Sequence, residues 1–308
     1  MATSLTYDVC GRIQQIVAAG TPTRYTYDQY GQLIREDNQA LAKTYIYEYN
    51  DNAGNLTAVK AYNYTTGTVS GTPVTTSFGY TADKLTSLSG AAIAYNAMGC
   101  PTTYDGKVAS WVKGKLSTLS KGSKTTGLES YGFAYNAYDQ RVSKSYSYLP
   151  GTSGLESIYP GQLLNSSKQF YYDHSGRLVA ETSTKNFKDT GAQNERVVFL
   201  YDGNTVIGMQ HTVNGVTTPY YFHRNPLGDV VGIYNTNGTL VAKYIYDAWG
   251  NCTISGNTTV AKANPIRYRG YYYDEETGLY YCNAQYYSPK WRRLCLFGSH
   301  NWIFVFAF

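Results

Sequence analysis

A five-residue pattern, Tyr-[Asp/Asn]-x-x-Gly, recurs along this chain and decides most of what it can fold into. It stands at Tyr7-Asp8 to Gly11, Tyr27-Asp28 to Gly31, Tyr95-Asn96 to Gly99, Tyr172-Asp173 to Gly176, Tyr234-Asn235 to Gly238 and Tyr246-Asp247 to Gly250. Looser copies follow at Tyr49-Asn50 to Gly54, at Tyr135-Asn136 with Asp139 in the glycine slot, and at Tyr273-Asp274 to Gly278. Asp or Asn at the first position of a four-residue turn accepts hydrogen bonds from the backbone two residues on, and Gly at the fourth takes the left-handed step that returns the chain. Each copy therefore predicts a turn with a strand on either side.

The flanks agree with this. Before the turns, tyrosines alternate at period two, as in Tyr25-Thr26-Tyr27, Tyr45-Ile46-Tyr47-Glu48-Tyr49 and Tyr244-Ile245-Tyr246, which puts them on one face of a strand. After the turns comes a polar residue and then an apolar one: Arg12-Ile13, Gln32-Leu33, Asn55-Leu56, Arg177-Leu178, Thr239-Leu240. An isolated hairpin is marginal in water, so the units must stack side by side. With 34 tyrosines and 30 glycines in 308 residues and no helical periodicity, the expectation is an all-β chain. Its stacked antiparallel hairpins form a curled sheet with little or no helix.

Several function classes drop out. The net charge of +5 is spread singly along the chain; its densest cluster, Lys290-Trp291-Arg292-Arg293, reads as solvated loop charge, and nucleic-acid binding is not expected. Asp8, Asp28, Asp173 and Asp247 read as turn caps, since calcium sites want clustered acids. His174, His211, His223 and His300 are isolated, no Gly-x-Gly phosphate loop is present, and neither a cofactor, a metal nor a catalytic residue is expected. The five cysteines, Cys10, Cys100, Cys252, Cys282 and Cys295, show no C-x-x-C pair and fit buried thiols or an unassignable disulfide alike. The start lacks the pattern of a signal peptide, and no apolar run reaches the ~20 residues of a membrane-spanning helix.

The Tyr-Asp-x-x-Gly-Arg-Leu unit resembles the YD repeat of RHS proteins, bacterial wall-associated proteins, insecticidal toxin-complex shells and teneurins. The last third sharpens the likeness. The stretch Tyr-Phe-His-Arg-Asn-Pro-Leu-Gly-Asp from Tyr221, ending Tyr-Ile-Tyr-Asp-Ala-Trp-Gly-Asn at Asn251, is similar to the first half of the RHS repeat-associated core. Asn264 to Gly270, Tyr273 to Tyr281 and Tyr286-Tyr287-Ser288-Pro289 are similar to its second half. The core-like positions are His223, Arg224, Leu227, Gly228, Arg267, Gly270, Tyr273, Asp274, Gly278, Leu279, Tyr286, Tyr287 and Pro289.

The resemblance implies part of a hollow β-shell, with a YD-repeat region over 1–220, a core-like region over 221–294 and an aberrant apolar tail over 295–308. It implies a secreted or cell-surface setting, a C-terminal toxin as cargo with an immunity protein as that toxin's partner, and a truncated or frame-shifted fragment of such a protein here. In several relatives two aspartates of the core cut the chain. Asp274 matches the first, but no aspartate follows it, so self-cleavage is expected to be lost. Two alternatives remain from other classes: sugar binding or adhesion to a cell wall through the tyrosine faces, and a nuclease toxin, which in the family would follow the core. Open sheet edges predict a tendency to self-associate.

Overall fold

The computed structural model describes residues 3–50, 54–152, 161–283 and 285–295. Within them the chain is a succession of antiparallel strands in three sheets, and within each sheet every strand pairs with its neighbours in sequence. Nine strands, from Thr3–Tyr7 to Ala91–Ala92, form a first sheet; thirteen, from Thr103–Tyr104 to Cys252–Gly256, form a second. A third, small sheet comprises Tyr272–Asp274, Leu279–Cys282, Gln285–Ser288 and Arg293–Leu294. The all-β expectation holds, and the sheets do not close on themselves. One short helix, Thr258–Ala263, is capped by Asn257, whose side chain accepts from the Val260 amide. The second sheet runs through 220/221 unbroken, since the strand Val216–Arg224 crosses that point.

The turn chemistry is the same from copy to copy. In the first, the Gly11 amide donates to the Asp8 carbonyl at 3.0 Å, and Asp8 Oδ1 accepts from the amides of Cys10 and Arg12, both at 2.9 Å. Gly11 has φ +79°, and the strand register shifts beside it so that Tyr7 faces Ile13, a bulge that keeps the tyrosine and the apolar residue paired. The bonding repeats at Asp28, Asn96, Asp173, Asn235 and Asp247, and at Asn136, where Asp139 takes the left-handed step at φ +67°. A further copy, Asn225 to Gly228, has Arg224 in the tyrosine slot; Asn225 Oδ1 accepts from Leu227 and Asp229 in the same way.

The tyrosines also explain why the hairpins stack in one register. The hydroxyl of the tyrosine that opens a turn donates to a carbonyl of the preceding hairpin: Tyr27 to Ile13 at 2.8 Å, Tyr49 to Leu33 at 2.9 Å, Tyr80 to Leu56 at 2.9 Å. The ladder continues with Tyr172 to Arg141 at 2.8 Å, Tyr201 to Leu178 at 2.8 Å and Tyr246 to Val230 at 2.7 Å. Phenylalanine would fill the same space and leave those carbonyls without this donor. Where arginine follows the glycine it ties both units: Arg12 pairs with its own Asp8, donates to the Asp28 carbonyl at 3.3 Å and lies 4.6 Å over the Tyr27 ring. Arg177 does likewise with Asp173, the Gly203 carbonyl and the Tyr201 ring.

Candidate functional site

The small sheet packs against both large ones and is fixed by its tyrosines. Along it, neighbouring residues point to opposite faces, so Tyr272, Tyr281 and Tyr286 face the second sheet while Tyr280 and Tyr287 face the turn after Tyr246. On the first side, the Tyr281 hydroxyl donates to the Asp139 carbonyl at 3.1 Å and accepts from the Arg141 amide at 3.0 Å. Tyr286 meets the Tyr135 hydroxyl at 2.9 Å, and Tyr272 donates to Glu181 at 2.7 Å. On the second side, three successive carbonyls of one repeat turn each accept a tyrosine hydroxyl: Ala248 from Tyr268, Trp249 from Tyr287 and Gly250 from Tyr280, at 2.7, 2.9 and 2.9 Å.

Asp274 lies at the centre. Its carboxylate accepts from Arg141 at 2.5 Å and from Lys144 at 2.8 Å, and none of its side chain reaches solvent. Burial pushes this carboxyl up, but the charges of Arg141 and then Lys144 outweigh it and hold the group below the ordinary carboxylate range. Arg141 is itself 1% exposed; its guanidinium lies 4.6 Å over the Tyr281 ring, 4.7 Å over Phe170 and 4.9 Å over Tyr272. Lys144 also pairs with Glu276. A carboxylate clamped between two cations is a poor proton donor at neutral pH.

A second polar knot joins the first sheet to the second. Glu36, fully buried, accepts from the Ala248 amide at 3.0 Å, the Tyr47 hydroxyl at 2.7 Å and the Asn38 side chain at 2.9 Å. Asn38 also donates to the Tyr246 carbonyl at 2.9 Å. Burial, with the nearby Asp247 charge, pushes the Glu36 carboxyl up to about 7, and burial raises Asp247 as well. The Trp249 ring packs 6.2 Å from that of Tyr47 across the same seam.

The sequence-singled residues fall into two groups. Asp8, Asp28, Asn96, Asp173 and Asp247 cap turns, and Gly11, Gly31, Gly99, Gly176 and Gly250 take positive φ. Tyr27, Tyr172 and Tyr246 carry the ladder, and Tyr95 joins it by donating to Leu85. Of the core-like set, Asp274, Tyr286 and Tyr287 meet at the small sheet, with Leu279 buried beside them. Arg267 lies between the Tyr244 and Tyr273 rings and pairs with Glu275; Arg224 donates to the Gly228 carbonyl next to Gly270. Pro289 offers its carbonyl to Asn251. Leu227 packs against the core, Gly278 closes the turn after Asp274, and His223 has a buried Nε2 without a partner among the described residues.

The Lys290–Arg293 cluster is only in part the solvated loop expected: Lys290 is exposed, but the three residues after it are not free in solvent. Trp291 is 4% exposed and edge-on to Tyr104, Arg292 and Arg293 lie over Phe78 and Tyr80, and Lys290 pairs with Asp105. The reason is the small sheet, whose last strand is seated beside the first sheet and carries these side chains with it. All five cysteines are free thiols. Among the described residues no helix is long and apolar enough to cross a membrane and no cluster of potential metal ligands occurs. The tail over 296–308 lies outside the described residues.

Arg141 and Lys144 escaped the sequence reading although one signal was present. Arg141 occupies the second position after its turn, opposite Tyr135, where other copies carry Ile13, Leu33, Leu56 or Leu178. A charge in an otherwise apolar repeat slot marks a place where the fold needs a buried partner.

Residues 167–294 match the teneurin YD-shell family model. The chain is 31% identical over 268 residues to the tRNA3(Ser)-specific nuclease WapA of Bacillus spizizenii, covering 86% of this chain and 10% of that protein. It is 30% identical over 267 residues to the tRNA nuclease WapA of Bacillus subtilis strain 168, with the same coverage of 86% and 10%. The chain thus spans about a tenth of the length of the curated relatives it matches. In fold it is similar to the Photorhabdus luminescens Tc holotoxin pore, with a TM-score of 0.78 at 18% identity over 97% of this chain and 15% of that one. Turn chemistry, tyrosine ladder and these likenesses agree: the chain belongs to the RHS/YD-repeat family and has its shell fold.

Proposed function

We propose that these residues form part of the wall of a shell that encloses a toxin polypeptide carried behind it, and that their role is containment rather than catalysis. The observation that carries this reading is the small sheet, which is bound to the second sheet by buried tyrosine hydroxyls and by the Asp274 ion pairs, and to the first sheet through Arg293, which donates to the Tyr80 hydroxyl. On this reading 1–220 supply repeat wall and 221–294 the closing end, in a protein that works outside the cell. The nuclease activity named for the WapA relatives would belong to sequence other than this segment, since the segment matches about a tenth of them. Self-cleavage is absent on this reading: an aspartyl pair needs two carboxylates sharing a proton, and the carboxylate of Asp274 is instead engaged by Arg141 and Lys144.

The test joins an unfolded, protease-sensitive reporter either after Cys295 or ahead of Thr3. Containment expects the reporter after Cys295 to be digested more slowly than the one ahead of Thr3. Equal rates would count against it.

A further inference from the structure

The turn Lys290 to Arg292 forms one wall of a cleft of about 590 Å3 between the two large sheets. Arginine stays charged at any ordinary pH, so a guanidinium drawn out of water needs an anion or acceptors of its own. Arg12, Arg35, Arg141, Arg177, Arg267 and Arg269 each pair with a carboxylate. Arg293 donates to the Tyr80 hydroxyl and the Asp83 carbonyl. Arg292 does neither. It is half-buried, its guanidinium lies 5.4 Å over the Phe78 ring, and its buried Nε has no partner among the described residues.

Neither acid of the cleft answers that charge. Asp105 pairs with Lys290, and Asp247 turns its carboxylate to the amides of Trp249 and Asn251 and to the Asn251 side chain. The other walls offer hydroxyls and a ring. Thr76, Ser89 and Thr103 line the cleft beside Tyr45, and their hydroxyls make no hydrogen bond among the described residues. Size separates the candidate guests: a water-sized ion occupies about 30 Å3, whereas small-molecule sites begin near about 300 Å3.

We propose that this cleft binds an anionic sugar, a single hexose unit bearing a carboxylate or a phosphate. The planar fork of Arg292 takes the anion, a geometry that suits both groups. The hydroxyls of Thr76, Ser89 and Thr103 meet those of the sugar, and the Tyr45 ring gives its C–H face an apolar surface. The site shares no residue with the Asp274 cluster and does not depend on containment.

The test is isothermal titration of the full chain, at fixed ionic strength, with glucuronate, glucose 6-phosphate, glucose and inorganic phosphate. At least one of the two anionic sugars should bind saturably and about tenfold more tightly than glucose or phosphate, and the tighter of the two identifies the anion. Arg292→Gln should weaken that binding about tenfold, the effect of a charge-assisted hydrogen bond. Thr103→Val, at an exposed position that keeps the fold, should weaken it about fivefold. Inorganic phosphate binding as tightly as either anionic sugar would mark an adventitious ion only and overturn the proposal. So would glucose binding as tightly as the anionic sugars, no saturable binding, or an affinity indifferent to Arg292→Gln.

Discussion

Asp274 and Arg141, 133 residues apart in sequence, meet at 2.5 Å in the interior of the molecule, and neither is more than 1% exposed. Removing the charge of Asp274 strands the buried Arg141 guanidinium and leaves Lys144 with Glu276 alone. Asp274→Asn should therefore destabilise the protein by about 3–5 kcal/mol in urea unfolding. Arg141→Met should recover part of that loss in the Asp274→Asn background, because the stranded charge is then gone; simple additivity would show that the pair is not coupled.

The two buried carboxyl sites respond to pH in opposite senses. Glu36 is pushed up from an ordinary 4.5 to about 7, by burial and then by Asp247, so its contribution is complete below 4.5 and is lost as pH rises through about 7. Asp274 is held below its ordinary 3.8, so its contribution is present above that value and lost as pH falls below it. Melting temperature should peak in mild acid and decline towards pH 8. Glu36→Gln should flatten that decline; an unchanged slope would remove Glu36 as its cause.

The tyrosine ladder has a uniform expectation. Tyr27→Phe, Tyr172→Phe and Tyr201→Phe each delete one cross-hairpin hydrogen bond and keep the ring, so each should lower stability by about 1 kcal/mol. Tyr27 lies in the first sheet and the other two in the second, so its effect should add to either of theirs; Tyr172 and Tyr201 meet at Leu178, which pairs with the one and accepts from the other, and their double variant should depart from additivity. Tyr30→Phe, on an exposed turn tip, should change nothing measurable in the same unfolding experiment.

Two glycines of the same repeat position should differ. Gly11 has φ +79° with open space around a would-be Cβ, so Gly11→Ala should cost about 1–2 kcal/mol of backbone strain. Gly250 has φ +85°, and its Cβ would stand 2.6 Å from the Tyr268 ring. Gly250→Ala should add about 1–3 kcal/mol of overpacking to the same strain, so a loss no larger than that of Gly11→Ala would contradict the tight docking of Tyr268 on that turn.

The fold was legible because its unit is local: aspartate, glycine and alternating tyrosines lie within ten residues and set turn, face and register together. Asn225–Gly228 was hidden as a turn only because Arg224 replaces the tyrosine. The site was less legible for a physical reason. Arg141 meets Asp274, Glu36 meets Ala248 and Trp291 meets Tyr104 only after the sheets curl, and no local pattern records those distances. Arg292 and Arg293 read as solvated because charge in sequence says nothing about aromatic faces brought beside it. Arg141 was the exception, a charge in an apolar slot.

Asp274 holds the small sheet through Arg141 and Lys144, and on the containment reading proposed above it does not cut the chain. The direct measurement is the intact mass of the purified protein during incubation at neutral pH, beside Asp274→Asn. The account expects one undivided mass for both, with the variant the less stable of the two. A fragment ending near Leu294 that forms in the parent protein and disappears in Asp274→Asn would contradict it.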